Sequence, residues 1–551
     1  MHLPVMNATW SWRSVSIRVA LACVAALAAV PATAQQLALP SRGGASLSEF
    51  LDRGQALETE RRWSEAVATY EDALRQFPGD PAVKQRFDCA RQHFDVARRY
   101  ADRSFRAALE RLSPSATLDL YAEVLLKIHA HYVDTPRWNE LVEAGARSFA
   151  VALSEPVFLE ANLPSASPED LNALLADLER LLAARFVQNR FEAREAVQAA
   201  AALAQRRAGV GENAVVMEFL SGAVNTLDPH STYLTPDQLT EVYSQIEGNF
   251  VGLGVELKAQ DGALLILRVI PRSPASRGGL REGDRIVAID GRETRDLSAD
   301  RAANLLQGEP GSVADITIER PGASPQRLLI RRERVEVPGV DQAAIRDRSR
   351  GIAYLKLGCF QKSTCRDVED ALWKLHREGM RSLVIDLRGN PGGLLVAAVE
   401  VADLFLDRGV IVSTHGRNAY EDFTYTAREP GTWGVPLVVL IDQDSASAAE
   451  IFAGAIRDQQ RGTIVGRRSF GKGSVQGIFP LGVGGAGLRL TTAKFFSPSG
   501  KPYSGLGVEP HVVVRQTARP IGESVRVPGE DPMLAAALQV ASQLVAQRPG
   551  P

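Results

Sequence analysis

The sequence predicts a multidomain fold: an all-α N-terminal region, a small β-rich domain and an α/β domain, in that order. Three observations carry this. The chain has 551 residues, more than a single core accommodates. Residues 35 to about 235 are dominated by Ala, Leu, Glu, Arg and Gln and are poor in strand formers. Beyond residue 250, strand-like runs bounded by Gly and Pro appear, and beyond 350 they alternate with helical patterns. Hydrophobic residues make up 45% and charged residues 23%, which describes a globular chain. With a net charge of −2 and no long basic tract, nucleic acid and anionic membranes gain no electrostatic support.

Taken in order, Arg13 and Arg18 precede an apolar run from Val19 to Val30, followed by Ala32-Thr33-Ala34 and Gln35. A basic stretch, a short apolar stretch and small residues at −3 and −1 describe a secretory signal, residues 1–34, cleaved after Ala34. The run is short for a membrane span, and the placement predicts export, with the periplasm as the destination. A lipid anchor on Cys23 is the variant, disfavoured because that cysteine sits inside the apolar run. After cleavage Cys89, Cys359 and Cys365 remain, an odd count that denies a full disulfide framework. Cys359 and Cys365 can pair in an oxidising compartment or remain buried thiols. No Cys/His spacing suggests a metal site and no motif calls for a cofactor.

Within 35–110, Phe50, Gly54, Leu57, Ala66, Tyr70, Ala73 and Pro78 fall at the spacing of one tetratricopeptide unit, which this segment resembles. Small residues let two helices approach and the proline stops the second. A single unit cannot bury both faces, so later helices must stack on it. The helical region, continuing over 111–235, is a candidate surface for an adaptor or for self-association, against the plainer reading of a packing scaffold.

Over 236–335 the strand-like runs are Leu264 to Ile270, Arg285 to Ile289, Ala314 to Glu319 and Arg327 to Arg332. Gly252-Leu253-Gly254-Val255, Pro271 to Ala275, Gly279 to Ile286 and Ile289-Asp290-Gly291 together resemble a PDZ domain. That resemblance implies that the Gly252–Val255 loop turns backbone N–H groups toward a peptide's terminal carboxylate, while the peptide adds as a strand.

Over 336–515 the strands are Ile352 to Leu357, Ser382 to Leu387 and Pro436 to Ile441, alternating with helices over Val368 to Glu378 and Leu394 to Leu406. Residues 516–551 read as a polar tail with a weak helix from Pro532 to Ala546.

Three segments of this domain carry chemistry. In Asp386 to Gly393 a hydrophobic strand enters a glycine-rich turn before a helix, which exposes backbone N–H groups to a developing negative charge. In Asp444 to Ile451 serines stand at a strand-to-helix turn. Ser445 and Ser447 read there equally as N-caps, with Glu450 completing a capping box from Ser447. The third is Gly466 to Gln476, where Lys472 lies between glycines. The chain has nine lysines among 63 basic residues, and the neighbouring basic residues of this loop are arginines. Lysine can be deprotonated in a protein and arginine cannot, so the choice suggests a chemical need. Strand spacing would put Lys472, Ser474 and Gln476 on one face, with Gln476 fixing the amine. A solvated loop lysine is the plain alternative.

These segments resemble the catalytic core of the carboxyl-terminal processing peptidases, the tail-specific proteases of family S41. Leu227 to Leu234, Thr491 to Gly500 and Gly507 to Pro510 also match, so the resemblance spans about 225 to 515. It implies an α/β core of the S41/crotonase-like type, with Ser447 as nucleophile, Lys472 as general base and Gln476 as its orienter. The oxyanion donors would be the N–H of Ala448 and one of Gly392 and Gly393. The substrates would be protein or peptide C-terminal tails. A free lysine has a pKa near ~10.4, so a base mostly neutral at pH 7 needs a drop of more than ~3 pH units, about 4–5 kcal/mol. Phe470, Val475 and Phe479 are the expected apolar surround. The helices between Asp134 and Leu227 and the tetratricopeptide-like unit are additions to the family pattern.

Other readings are weaker. Gly466-x4-Gly471-Lys472 nearly spells a phosphate loop, but Gly473 replaces the magnesium-binding Ser or Thr and a strand follows, so no nucleotide is expected. Gly482 to Gly487 fits Gly-x-Gly-x-x-Gly but reads as a hairpin loop. His230, His415 and His511 are available for a Ser/His/Asp triad, and His230 reads as a turn residue. The non-enzymatic alternative is an inactive PDZ/tetratricopeptide-like scaffold.

Overall fold

The structure, a computed structural model, describes residues 46–163, 167–260, 263–295, 305–428, 432–514 and 531–547. The signal expected over 1–34 lies outside these residues.

The α/β domain is built on a six-stranded sheet. Val340–Asp347 runs antiparallel to Ile352–Leu357, and Ser382–Asp386, Leu437–Ile441, Thr463–Gly466 and Val512–Val513 then follow in parallel. A parallel strand covered on both faces needs no polar alternation, and all five residues of Leu437–Ile441 are buried. Ala353, Leu355, Leu383, Ile385, Leu437 and Val439 face a core shared with the helices Thr364–Arg377, Leu395–Asp403 and Ala448–Asp458. Ile352, Tyr354, Val384, Val438 and Leu440 face the other way, against Ala537 and Ala541. The helix Pro532–Ala546 is therefore a full layer of the domain. Its two alanines let it lie close to the sheet, and Asp531 caps it while bonding Arg388 of the glycine-rich turn at 2.8 Å.

A second sheet is centred on the ten-residue strand Gly487–Phe496. Ser474–Pro480 pairs along one edge; Thr232–Leu234 and Val410–Gly416 share the other. The loop Leu481–Ala486 closes the hairpin, as its glycines suggested, with Leu481 N donating to Ala486 O at 3.0 Å.

The N-terminal region is helical from Leu47 to Asn225. Leu47–Thr59 and Trp63–Gln76 meet where Gly54 lies under Tyr70; a Cβ at Gly54 would stand 2.3 Å from the tyrosine ring. Pro81–Ala101 stacks on this pair through Val83 and Ala90. The added helices from Trp138 to Asn225 return onto the second sheet. Tyr132 donates its hydroxyl to Leu227 O at 2.6 Å, and Val133 N donates to Thr491 O at 2.9 Å.

The β-rich domain has strands Val255–Gln260, Ala263–Val269, Arg285–Ile289, Val313–Glu319 and Gln326–Arg331, in that order, with Arg292–Glu293 beside the third. The chain enters through Asn249–Gly252 and leaves through Glu333–Glu336, and these two segments pair antiparallel. Cys89, Cys359 and Cys365 are free thiols; burial pushes the latter two up to about 11.

Candidate active site

The buried strand Leu437–Ile441 ends in a turn that separates the two candidate serines. Ser445 is fully buried. Its hydroxyl donates to Leu387 O at 2.8 Å and contacts Asp442 Oδ1 at 3.0 Å, so it ties the serine turn to the glycine-rich turn. Ser447 is partly exposed and sits one residue before the helix Ala448–Asp458 with φ 55° and ψ −116°. A non-glycine residue at positive φ outside the left-handed helical well is strained, and such strain persists where the surroundings impose it.

Glu450 imposes it. Its carboxylate is fully buried and accepts four hydrogen bonds. Oε2 takes Ser447 N and Lys472 N, both at 2.8 Å. Oε1 takes Ser469 Oγ at 2.6 Å and Gly471 N at 2.7 Å. Burial pushes this carboxyl above its ordinary value, against the pull of the four donors. The capping box was visible in the sequence; the clamp between the serine turn and the lysine loop was not. The Ser447 and Lys472 main chains thus converge on one oxygen.

Lys472 lies in the loop before the strand, which begins at Ser474, and a bulge at Val475/Gln476 interrupts the pairing. The expectation of one strand face carrying 472, 474 and 476 is corrected accordingly. Ser474 and Gln476 do share a side: Gln476 Nε2 donates to Ser474 Oγ at 3.0 Å and to Thr491 Oγ1 at 3.2 Å. Thr491 in turn donates to Asp228 Oδ1 at 3.0 Å. Among the described residues no hydrogen bond joins Lys472 to Gln476 or its amine to the Ser447 hydroxyl. The expected aromatic surround is also corrected. Phe470 is 58% exposed, and Phe479 stacks on His131 at 4.6 Å in the helical core. What holds the lysine pKa below its ordinary value is burial first, then the Arg489 guanidinium, opposed by Glu450 and Asp228. Asp228 and Arg489 are site residues that sequence reasoning missed. Asp228 lies within the Leu227–Leu234 match, which carried no role for it, and Arg489 lies just before the Thr491–Gly500 match.

The glycine-rich turn lies against the serine. A Cβ on Gly392 would stand 2.7 Å from Ser447 Cβ and 2.9 Å from Ala448 N. Gly392 N–H is already spent on Asn390 Oδ1 at 2.8 Å. The Gly392 carbonyl accepts from Phe360 N at 2.8 Å. Across a trans peptide the next N–H points the opposite way, so Gly393 N–H is directed away from Phe360. Gly393 has φ 136°, and a Cβ there would meet Phe360 O at 2.0 Å.

In the β-rich domain Gly252 closes the entry strand, Leu253 is buried, and Gly254 takes φ +87° against Ser273. Val255 opens Val255–Gln260, a strand at the end of the sheet order, which leaves an edge of the kind an added strand uses.

The histidines hold structure. His511 Nδ1 accepts from Ile464 N at 3.0 Å. His415 lies 3.6 Å from Asp422, its side chain exposed at the end of the strand Val410–Gly416. His230 sits in the turn capped by Asp228, which accepts from His230 N at 2.7 Å. Burial and then the Lys472 charge hold its pKa down. Gly466 ends a strand, and among the described residues the next element is the strand from Ser474, which leaves the phosphate-loop pattern without its helix.

A profile of peptidase family S41 matches residues 351–514, and a PDZ domain profile matches 265–320. A carboxy-terminal-processing protease of Bartonella bacilliformis is 38% identical over 303 residues, 54% of this chain and 69% of that protein. Carboxyl-terminal-processing proteases of Picosynechococcus sp. and Synechocystis sp. are 33% and 37% identical, covering 57% and 53% of this chain and 76% and 69% of theirs.

Proposed function

This chain belongs to peptidase family S41 and is a serine-type peptidase carrying a PDZ domain, and we propose that it works through a Ser447–Lys472 dyad on protein C-terminal tails. The observation that carries the reading is the Glu450 clamp, which holds the strained Ser447 main chain and the Lys472 main chain on one oxygen at 2.8 Å each. Neutral Lys472 takes the Ser447 proton as the hydroxyl attacks a peptide carbonyl; an acyl-enzyme forms, the amine leaves with a proton, and water resolves the ester. The developing oxyanion receives the N–H of Ala448, at the start of the helix, and that of Gly393, because Gly392 has already given its own to Asn390. Gln476 offers its carbonyl oxygen to the lysine amine, its amide nitrogen being held by Ser474 and Thr491.

The Gly252–Val255 loop and the edge strand that follows it receive the substrate's terminal carboxylate. The helical region from Leu47 onward is the surface for an adaptor or self-association. The inactive-scaffold alternative gains no support, since every group the chemistry requires is present. Export through residues 1–34 places the enzyme in the periplasm; mass spectrometry of the mature protein is expected to find Gln35 at its N-terminus, and an intact Met1 or a lipidated Cys23 would overturn that.

The test of the dyad is cleavage of a model protein with an apolar C-terminal tail. Ser447→Ala and Lys472→Arg are each expected to lose more than ~1000-fold. Retained activity in the arginine variant, whose side chain cannot be neutral, would sink the dyad. Because the base works deprotonated and its pKa is lowered, kcat/KM should rise with pH along a limb below the ordinary lysine range.

A further inference from the structure

We propose that the cavity between the helix Pro81–Ala101, the helix Pro236–Glu247 and Arg489 binds a small multivalent oxyanion of phosphate or polycarboxylate chemistry, and that the bound anion turns down the peptidase. The cavity has a volume of about 270 Å³. Arg91, Arg98, Arg99 and Arg489 line it, against the carboxylates of Asp95 and Glu241. Two of the four cations are engaged: Arg99 is bonded to buried Glu218 at 2.7 Å, and Arg91 lies 4.0 Å from Asp95. Arg98 and Arg489 have no carboxylate within ion-pair distance among the described residues. Among the described residues Arg489 is held through its Nε, which donates to His230 O at 3.2 Å.

Among the described residues, Arg99 Nε and Ser221 Oγ, on two residues of this wall, are buried without a partner, as is Glu218 Oε1 behind Arg99. Guanidinium forks match phosphate and carboxylate geometry. The field is consistent with this. Arg489 is held below its ordinary value by burial and by repulsion from Arg98 and Arg91, against Asp228.

Arg489 also adjoins the site: it bonds the His230 carbonyl, and Thr491, two residues along the same strand, bonds both Asp228 and Gln476. The charged and titratable groups around Lys472 are Arg489 from the strand Gly487–Phe496, Glu450 from the serine helix, and Asp228 and His230 from the turn before Thr232. Of these, Arg489 is the cation that favours the neutral amine. An anion on Arg489 offsets that repulsion, returns the proton to Lys472 and lowers the fraction of working base at a given pH. This part rests on the Ser447–Lys472 reading; the binding part does not.

Calorimetric titration of the full chain carrying Ser447→Ala with sodium pyrophosphate and with citrate, at low salt, tests the site. Binding by either is expected, weakened about tenfold or more in Arg98→Gln and Arg489→Gln. No heat with either anion, or unchanged affinity in both variants, overturns the site. In the active enzyme, saturating anion should move the acid limb of kcat/KM up by about one pH unit, an about tenfold loss at a pH below the limb, where sodium chloride of equal ionic strength does not. Arg489→Gln should move the limb upward by itself and abolish the response. Binding with an unmoved limb overturns the coupling. Absence of any proteolysis in the unmutated enzyme would instead sink the dyad, with the titration still deciding the site.

Discussion

Glu450 shows how much one side chain does at this site. Four donors from two stretches of chain, the serine turn and the loop of residues 469–472, meet its two oxygens, and two of them fix the main chains of Ser447 and Lys472. Glu450→Gln keeps the size but turns one acceptor oxygen into a donor. Two buried N–H or O–H groups then lose their partner, at roughly 1–3 kcal/mol each. The expected outcome is a lower melting temperature together with a kcat reduced about 100-fold and a KM little changed, measured by calorimetry and steady-state cleavage. A purely structural glutamate would lower stability and leave kcat of the folded fraction intact. Lys472 illustrates the opposite economy. Its surround is polar, yet burial beside Arg489 holds the amine toward neutrality, so the same surroundings that make its charge costly to bury favour the form the proposed base requires.

At the level of elements, two turns and one helix start assemble the candidate site. The glycine-rich turn is locked by Asn390, whose amide reaches Leu357 O at 3.0 Å while its carbonyl oxygen takes Gly392 N and its main-chain oxygen takes Ala446 N. Each turn follows a buried parallel strand, so both emerge at the same end of the sheet, where open α/β sheets carry their sites. Gly392→Ala places a methyl 2.7 Å from both Ala446 O and Ser447 Cβ, at φ 104°. The backbone oxygen cannot rotate away, so the serine turn must shift. A folded protein with at least ~100-fold lower kcat is expected, read by circular dichroism and cleavage rate; wild-type kcat would show that Gly392 is mere loop.

Across the whole molecule the chain enters and leaves the β-rich domain through one strand pair, Asn249–Gly252 with Glu333–Glu336, and the Gly252–Val255 loop starts at the last residue of the entering strand. Further contacts tie this side to the peptidase domain, among them the main-chain bond from Lys362 N to Ile246 O at 3.2 Å, the part-buried pair Arg268–Asp341 at 3.1 Å and the exposed, individually weak pair Lys362–Glu247 at 3.0 Å. On the proposed reading, a substrate tail held by this loop is tethered to the chain that carries the site. Amidating the C-terminus of a model substrate should raise KM about tenfold or more while leaving kcat largely intact; equal kinetics for acid and amide would remove carboxylate capture from the mechanism.

Periodicity and turn residues were enough to place most elements. Arg285–Ile289, Ile352–Leu357 and Pro532–Ala546 fall where their patterns put them, because each has a local signal: a buried apolar run or a capped helix after a proline. Ser447 and Lys472 stood out for the same kind of local reason, a strand-to-helix turn and a lysine in an arginine-rich chain. The apolar Pro532–Ala546 helix read as a weak appendage because nothing within its own residues says that it meets the sheet face of Val384, Val438 and Leu440. Phe470 and Phe479 were misjudged as lysine neighbours because proximity along a chain does not fix which way a loop or a bulged strand turns. Asp228, Arg489 and the reach of Glu450 were silent for a deeper reason. Hydrogen bonds and charge–charge effects act over a few ångströms of space, and these groups are brought within that range only when segments around residues 228, 450, 472 and 489 pack together. The sequence by itself determined which chemistry was available; the packed tertiary structure decided which neighbours would set the lysine's proton affinity and hold the serine in its strained turn.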